Sequence, residues 1–384
     1  MLNINSRYNK KIITALIAGT LLSILLSLFL LQLFAGILSV LYLSEKWTDK
    51  KRAFDTIGLA ILIFGVARII SMMLSVYPSS SIPILYKELL FYLSFFSLSF
   101  YFKFLDANKF KMVIYAFIIG GAISALVGII KFDLNLVYRA ESFSSGCAAF
   151  SSYLLVVVVF LASLYDREET TIKKYVWLGI LTLISSGIIL SLVRTNIVIA
   201  LILVAGIMIY RRVNIKYILI FGISVSVICA ASFKLNIGAF NWGMQRLTYL
   251  SNRDIIIKGF IELADEHPVF GYGPRTFHDI FPFKKEFRDK GIGSWHNDFI
   301  QVYIESGAIG LITFLFLIIL LFYEGLGTIR KNQLPDQEKK TLLGLLLAVT
   351  AIIGSGLTAG YIFSPTLSIL FAYLSAGIGR LTEF

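Results

Sequence analysis

Residues 298–323 read DFIQVYIESGAIGLITFLFLIILLFY, an apolar stretch with only two charged side chains, Asp298 and Glu305. A helix needs about 20 mostly apolar residues to cross the hydrocarbon core of a bilayer, and core helices of soluble proteins rarely need so many. The stretch therefore predicts a membrane-spanning helix. Because many such stretches follow one another in the chain, the sequence predicts an all-α, polytopic integral membrane protein.

The composition agrees with this class of protein. Hydrophobic residues make up 57% of the 384 residues and charged residues only 15%, whereas soluble domains are about a quarter charged. The net charge of +12 would suggest nucleic-acid binding in a soluble protein, but here the positive residues fall mostly in short loops between apolar stretches. That distribution is typical of orientation in a membrane and disfavours a nucleic-acid partner. The two cysteines, Cys147 and Cys229, indicate neither a disulfide framework nor a zinc site.

The apolar stretches predict twelve transmembrane helices. The first apolar run is too long for one ordinary span, so we divide it into a tight hairpin, although a count of eleven would also fit the hydropathy. Because no cleavage site follows the positive N-terminal segment, we expect the first span to be retained. The predicted spans are residues 12–27, 29–44, 57–76, 83–102, 112–130, 148–165, 174–191, 195–210, 215–233, 298–323, 341–360 and 364–381.

The distribution of lysine and arginine predicts the orientation of these spans. With a cytoplasmic N-terminus, more than half of the 35 lysines and arginines fall in cytoplasmic loops, and the short outer loops hold only Lys131, Arg139 and Arg194. If the first apolar run were a single span, the lysine- and arginine-rich loops after it would no longer fall on the cytoplasmic side. We therefore expect a multi-pass inner-membrane protein with both termini in the cytoplasm.

One outer segment, residues 234–297, is far longer than the other outer connections. It separates helices 1–9, within residues 1–233, from helices 10–12, within residues 298–384. Long loops in compact proteins are usually functional or disordered. Residues 254–266 have apolar side chains at helical spacing, and residues 267–274 (HPVFGYGP) predict a sharp turn. We expect a large periplasmic loop whose amphipathic helix lies at the membrane surface and covers a cavity.

The clearest candidate for chemistry lies where this loop enters the tenth span, at His296. An imidazole there can accept a proton near neutral pH, but it could equally cap or anchor the helix. Gly307 and Gly310 are small residues that permit the close approach of another helix. Glu305, at membrane depth, belongs either to a functional site or to an ion pair with a buried arginine.

Cationic residues at the outer ends of the spans form a second candidate group. A charge at the centre of a span costs about 2.5–3.5 kcal/mol on the insertion scale, so such residues face protein or a cavity. Several cations together would suit a diphosphate, because arginine binds phosphate through two hydrogen bonds. Alternatively, each extends to the interface or pairs with Glu88, Glu141 or Glu305, and we expect Arg68 to be structural. The candidates are Arg194, Arg253, Arg139 and Lys87.

Several motifs are absent from the sequence. It contains no P-loop, no glycine-rich dinucleotide turn, no HExxH and no acidic pair of the divalent-metal type in an outer loop. The sequence therefore predicts neither a cofactor nor a metal, and the energy for any reaction must come with the substrate.

Taken together, these features resemble the O-antigen ligase / O-antigen polymerase superfamily of bacterial envelope glycosyltransferases. The ligases carry His-Asn, nine residues, Gly, two residues and Gly, which residues 296–310 match in full. The large outer loop, the helix led by Arg253 and the His-Pro-x-x-Gly-x-Gly turn of residues 267–273 also resemble the family. Arg194 opens its span in Val-Arg-Thr, where Ser/Thr-Arg-Ala/Gly is commoner. Arg139 and Lys87 match more loosely.

The resemblance implies a GT-C-like fold and a periplasmic active site in the bacterial inner membrane. His296 would deprotonate an acceptor sugar hydroxyl, which attacks the anomeric carbon of a glycan linked to undecaprenyl diphosphate, with inversion and without a metal. Arg194 and Arg253, joined by Arg139 and Lys87, would hold the diphosphate. The acceptor in ligases is the lipid A–core oligosaccharide. The supporting motif residues are Asn297, Glu305, Gly307 and Gly310.

Other functions stay open at this point. A polymerase of O-antigen or exopolysaccharide would use a second lipid-linked glycan as the acceptor. A protein O-oligosaccharyltransferase typically has further C-terminal sequence, which disfavours it here. A transporter or flippase would place cations along a path through the membrane, whereas these cations gather at one face. A scaffold would explain neither the cations nor the structured loop.

Overall fold

The computed structural model describes residues 8–144, 146–234, 253–284, 293–332, 334–360 and 364–383. Within these ranges the chain is helical and has no strand, and each of the twelve predicted stretches overlaps a helix. The helices are α1 (Lys10–Ser23), α2 (Leu28–Ser44), α3 (Thr56–Met73), α4 (Leu85–Phe104), α5 (Ala107–Asp133), α6 (Cys147–Ser163), α7 (Thr171–Leu190), α8 (Arg194–Tyr210), α9 (Ile215–Lys234), α10 (Arg253–Leu263), α11 (Asp298–Lys331), α12 (Asp336–Ala359) and α13 (Pro365–Thr382). Short helices lie at Trp47–Lys50, Pro78–Ser81 and Phe277–Ile280.

Six of the described helices are long and apolar enough to cross a membrane: α3, the Pro78–Phe104 segment that ends in α4, α5, α7, α11 and α12. Four shorter apolar helices are α2, α6, α8 and the Ile215–Ile228 part of α9. The prediction of a polytopic helical membrane protein is confirmed. The count of twelve spans and the GT-C-like arrangement stay predictions.

The long first apolar run is divided as predicted. Ser27 caps the start of α2, because its side chain accepts a hydrogen bond from the backbone N–H of Leu30 at 3.2 Å. The hydroxyl of Tyr8, just before α1, lies 2.7 Å from Ser44 Oγ at the end of α2. The two helices therefore form an antiparallel hairpin. This agrees with the predicted alternation of basic and non-basic loops along the rest of the chain.

Several helices extend beyond the predicted spans. α11 continues to Lys331 rather than residue 323, and α12 begins at Asp336 rather than residue 341. The added turns contain charged residues, which lower the local hydropathy without disfavouring a helix. Hydropathy therefore located the apolar part of each helix and missed its polar ends.

The alternating helices place their ends in two groups. At one end, Lys103 forms ion pairs with Asp55 at 2.8 Å and Glu383 at 2.5 Å, and Lys340 pairs with Asp166 at 2.9 Å. Both lysines lie in loops predicted to be cytoplasmic. We call this the basic end.

The other end carries residues 253–284 and is called the loop end. Here the backbone N–H of Ser144 donates to the carbonyl of Leu25 at 3.2 Å, and that of Ala140 donates to Leu190 at 3.0 Å. The turns after α1, α5 and α7 therefore meet at this end, together with the loop.

α6 is the central helix of the bundle, since residues 150–163 are all buried. Glycines from three neighbouring helices allow this close packing. A Cβ added to Gly128, Gly187 or Gly344 would lie between 2.2 and 2.7 Å from a side chain of α6. Small residues at helix interfaces favour van der Waals packing inside a membrane, where the hydrophobic effect contributes little.

Candidate active site at the loop end

Asn297 is held between two helix ends. Its Oδ1 accepts hydrogen bonds from the backbone N–H groups of Phe299 at 2.9 Å and Ile300 at 3.0 Å, so it caps the start of α11. Its Nδ2 donates to the carbonyl of Leu357, in the last turn of α12, at 3.0 Å. One side chain thus satisfies backbone groups that two helix termini would otherwise leave unpaired.

His296 has the left-handed backbone conformation, with φ of 49°, which is uncommon for residues other than glycine. Its ring hydrogen-bonds the backbone of Ala359, the last residue of α12. Gly360 follows with φ of 69°, and a Cβ there would lie 3.3 Å from His296 Cα. Because one ring nitrogen donates to the Ala359 carbonyl, the other is left able to accept a proton.

The surroundings of His296 favour its neutral form. Burial lowers the pKa of His296 below its ordinary value, and the positive charge of Arg253 lowers it further. The hydrogen bond to Ala359 acts in the opposite direction. Arg253, at the start of α10, is therefore close enough to act electrostatically on His296. A neutral imidazole is the form that a general base requires.

Arg194 begins α8 at the same end of the bundle. Two residues later, Asn196 donates through Nδ2 to Ser152 Oγ at 3.1 Å, and Ser152 Oγ lies 2.7 Å from Ser355 Oγ. Ser355 is two residues before Leu357, the partner of Asn297, on α12. The start of α8 is therefore tied, through buried side chains, to the helix end that holds His296.

Arg139 lies in the turn after α5, next to Ala140. The Ala140 N–H donates to the Leu190 carbonyl at 3.0 Å, so the turn packs on the end of α7, four residues before Arg194. Arg139 is partly buried there. Backbone contacts thus bring this turn and the start of α8 together at the loop end.

Lys87 is exposed on the first turn of α4, with its ammonium group 5.6 Å from the centre of the Tyr86 ring. It follows the predicted pattern in lying at the loop end. Of the four cations, Lys87 therefore has the weakest structural support for its predicted role in binding the diphosphate.

Glu305 lies in a buried ion network rather than at the surface of the site. Arg68 Nη1 is 2.9 Å from Glu305 Oε2, and Arg68 Nη2 is 2.6 Å from Glu88 Oε1. Arg68 and Glu305 are each 1% exposed. Gln301 also donates to Glu305 Oε1 at 2.9 Å. Of the two alternatives that the sequence left open for Glu305, this geometry favours the ion pair with a buried arginine.

α11 is broken at Gly307, where φ is 64° and ψ is −164°. The loop segment 268–273 supplies the hydrogen bonds that the break removes from the helix. Tyr272 and Gly273 donate to the carbonyls of Ile304 at 2.9 Å and Glu305 at 3.0 Å, and the Pro268 carbonyl accepts from Ala308 at 2.7 Å. Irregular backbone within a membrane protein is tolerated only where such partners exist. We call residues 268–273 the plug.

The contact between the plug and α11 explains one glycine of each motif, Gly271 and Gly307. A Cβ at Gly307 would lie 2.2 Å from backbone atoms of Val269, and one at Gly271 would lie 2.5 Å from backbone atoms of residues 304–306. A Cβ at Gly310 would lie 2.2 Å from Ser306 Cβ, across the break. The expectation that Gly307 and Gly310 admit another helix is therefore wrong. Gly307 makes room for the plug, and Gly310 makes room for Ser306 at the break.

The predicted surface helix is present as α10. It ends at Leu263 rather than residue 266. Ile256 and Leu263 on its buried face pack with Phe277, Phe281 and Trp295 in a small core separate from that of the bundle. The described part of the loop therefore has its own packed interior, and the HPVFGYGP segment forms the predicted turn, with Gly271 N–H donating to the His267 carbonyl at 3.0 Å.

Some members of the site were not identified from the sequence. The serines and asparagine that tie α8 to α12 have no signal of their own, because polar side chains of this size occur throughout the spans. Gly360 could have been recognised as the residue that ends α12. In the part of the chain that the structure describes, no three His, Cys, Asp or Glu side chains are grouped to hold a metal.

Comparison with known protein families gives one finding. Residues 178–315 match the family model described as O-Antigen ligase. The matched segment runs from α7 to the part of α11 beyond the break, and it contains Arg194, Arg253 and His296. A search of curated proteins finds no match to the chain. The resemblance predicted from the sequence is confirmed.

Proposed function

We propose that this member of the O-antigen ligase superfamily transfers a glycan from undecaprenyl diphosphate to the lipid A–core oligosaccharide at the periplasmic face of the inner membrane. The family match supports a glycosyltransferase-like enzyme of the ligase or polymerase type. The observation that carries the proposal further is His296, held by the end of α12 and close to the charge of Arg253.

In the proposed reaction, His296 accepts the proton of an acceptor sugar hydroxyl through its free ring nitrogen. The hydroxyl oxygen attacks the anomeric carbon as the bond to the diphosphate oxygen breaks on the opposite face, so the configuration inverts. Arg253 and Arg194 bind the diphosphate and stabilise its growing charge. Since the donor is already activated, a base and a cationic clamp suffice without a metal.

The remaining motif residues support this arrangement. Arg139 extends the cationic clamp, and the exposed Lys87 is its fourth member. Asn297 orients His296 by capping α11 while bound to Leu357. Glu305 contributes through its buried ion pair rather than by touching substrate.

Reconstitution in proteoliposomes tests the proposal, with a lipid-linked glycan as the donor and lipid A–core as the acceptor. Wild-type protein should transfer the glycan, and His296→Ala should lose about 10²- to 10⁴-fold in kcat, the usual contribution of a general base. His278→Ala is the matched control, because His278 is exposed in the same loop, and it should behave as wild type. Wild-type rates in His296→Ala would rule out His296 as the base.

A polymerase is the second candidate, since the family match fits it equally. The acceptor distinguishes the two functions. The ligase transfers glycan to lipid A–core, whereas the polymerase extends a second lipid-linked glycan. In cells, loss of a ligase leaves bare core, and loss of a polymerase leaves core with a single repeat. Extension of lipid-linked glycan without transfer to core would replace the ligase assignment.

A further inference from the structure

The break at Gly307 divides α11 into two parts. The short part, Asp298–Ser306, begins directly after His296 and Asn297, and the long part continues to Lys331. Because an intact helix would transmit its orientation along its whole length, the break removes that constraint from the short part. The direction of His296 therefore depends on what holds the short part from its sides.

Arg68 on α3 holds the end of the short part that lies next to the break. Its Nη1 donates to Glu305 Oε2 at 2.9 Å and to Ser306 Oγ at 3.0 Å, while Nη2 donates to Glu88 Oε1 on α4 at 2.6 Å. Ser71, also on α3, donates to the Glu305 carbonyl at 2.5 Å. One planar guanidinium group therefore fixes the short part against two other helices.

Further hydrogen bonds connect Glu305 to the residues beside His296. Glu305 Oε1 accepts a hydrogen bond from Gln301 Nε2 at 2.9 Å, and the Gln301 N–H donates to the Asn297 carbonyl at 2.9 Å. Gln301 Oε1 also faces Gly360, where an added Cβ would lie 3.3 Å from it. A chain of side-chain and backbone contacts thus runs from Arg68 to the residues beside His296.

We propose that Arg68 is a positioning residue for His296, acting through Glu305, Gln301 and Asn297. The inference rests on the proposed function for its catalytic consequence. Stability alone is a poor reason for the network, because buried ion clusters can often be replaced by apolar side chains of similar volume without loss of stability. A role in orienting His296 explains why the network binds the short part of α11 immediately before the break.

The test removes all three charges together. The variant R68M/E88M/E305M leaves no buried charge uncompensated, so the fold has its best chance of being retained. Arg68→Lys is the second variant, since it keeps the positive charge but loses the planar fork that binds two partners. The matched control is K103M/D55N, which removes an ion pair of the basic end while asparagine still caps α3.

The first readout is the tautomer of His296, measured by solid-state NMR of ¹⁵N-histidine-labelled protein in liposomes. The chain has only three histidines, and His296→Gln identifies the relevant signals. Wild type and the control should show one tautomer, fixed by the bond to Ala359, and both Arg68 variants should show a mixture. A wild-type His296 spectrum in both variants would overturn the inference.

The second readout is transfer kinetics. The triple variant should lose about 100-fold in kcat, the scale expected when a catalytic group is misplaced by about 1 Å, with KM little changed. Wild-type kcat in a folded triple variant would contradict the inference while leaving the proposed function intact. A wild-type protein that transfers no glycan would contradict the proposed function instead, and the NMR comparison would then decide the inference.

Discussion

At the scale of single residues, the proposed chemistry centres on His296. Its backbone is in the left-handed conformation, and the residue lies between the start of α11 and the end of α12. Strained conformations of this kind persist where surrounding contacts hold them, and they cluster at functional sites. The Ala359 carbonyl accepts a hydrogen bond from one ring nitrogen, while burial and the charge of Arg253 lower the pKa of His296 and so favour the neutral imidazole. The ring is thus held in the neutral form from which a base acts, while its lowered pKa makes it a weaker base.

The pH dependence of transfer should report the interaction between His296 and Arg253. A base loses activity as it protonates, so kcat/KM should fall at low pH along an acid limb set by His296. The charge of Arg253 lowers the pKa of His296, so Arg253→Gln should raise that pKa and move the limb to higher pH. Rates measured across a pH series in proteoliposomes check this.

Lys258→Gln is the control for this shift, because Lys258 is exposed further along α10. Its acid limb should coincide with that of wild type. An acid limb that stays in place or moves to lower pH in Arg253→Gln would contradict the electrostatic coupling.

At the scale of elements, the feature that organises the site is the break in α11 and the plug that fills it. The two sequence motifs are one structural unit, since Gly307 makes room for the backbone of Val269 and Gly271 makes room for the backbone of residues 304–306. The unit separates the short part of α11, whose start is tied to the end of α12 through Asn297, from the long part that continues to Lys331.

Gly307→Ala should destabilise the protein by about 2 kcal/mol or more, because alanine is strained at positive φ and its Cβ would collide with the plug. Gly327→Ala is a matched control on the same helix, since nothing lies within 4 Å of a Cβ there. It should be neutral or stabilising by up to about 1 kcal/mol. Thermal unfolding in detergent compares the two, and an unchanged Tm for Gly307→Ala would contradict this account of the break.

The buried ion network makes a second prediction at this scale. Arg68→Met alone leaves Glu88 and Glu305 without their shared partner, and breaking a buried pair in this way costs about 3–5 kcal/mol. The triple variant R68M/E88M/E305M removes the carboxylates as well and should unfold at a higher temperature than the single variant. The reverse order would show that the two carboxylates do not depend on Arg68.

At the scale of the whole molecule, the two ends of the bundle differ in chemistry. The basic end holds the ion pairs of Lys103 and Lys340. The loop end holds the packed loop, the break in α11 and the candidate site. Basic loops remain on the cytoplasmic side of a membrane, so the loop end should face the periplasm, where a flipped lipid-linked glycan would reach it.

Cysteine labelling in intact cells tests this orientation. After Cys147 and Cys229 are replaced by alanine, His278→Cys at the loop end should react with a membrane-impermeant maleimide. Gln337→Cys at the basic end should react only after the membrane is permeabilised. Both positions are exposed. The opposite pattern would reverse the topology and exclude a periplasmic site.

The sequence by itself determined the class of fold and the apolar part of each long helix, and it proposed His296, Arg194 and Arg253 as site residues. These follow from local properties: the length of an apolar run, the charge of a short loop and the spacing of a motif. The prediction that the first run is a hairpin succeeded for the same reason, because the length of the run and the alternation of charged loops are both readable along the chain.

Only the tertiary structure decided what those residues touch. Arg68 and Glu305 are 237 positions apart, and His296 is held by the end of a helix that begins forty residues later. Apolar runs specify helices without specifying neighbours, since lipid and protein interior are similarly apolar. The pairing of Gly307 with the plug, and of Arg68 with Glu305, is settled when packing brings distant polar groups together away from water.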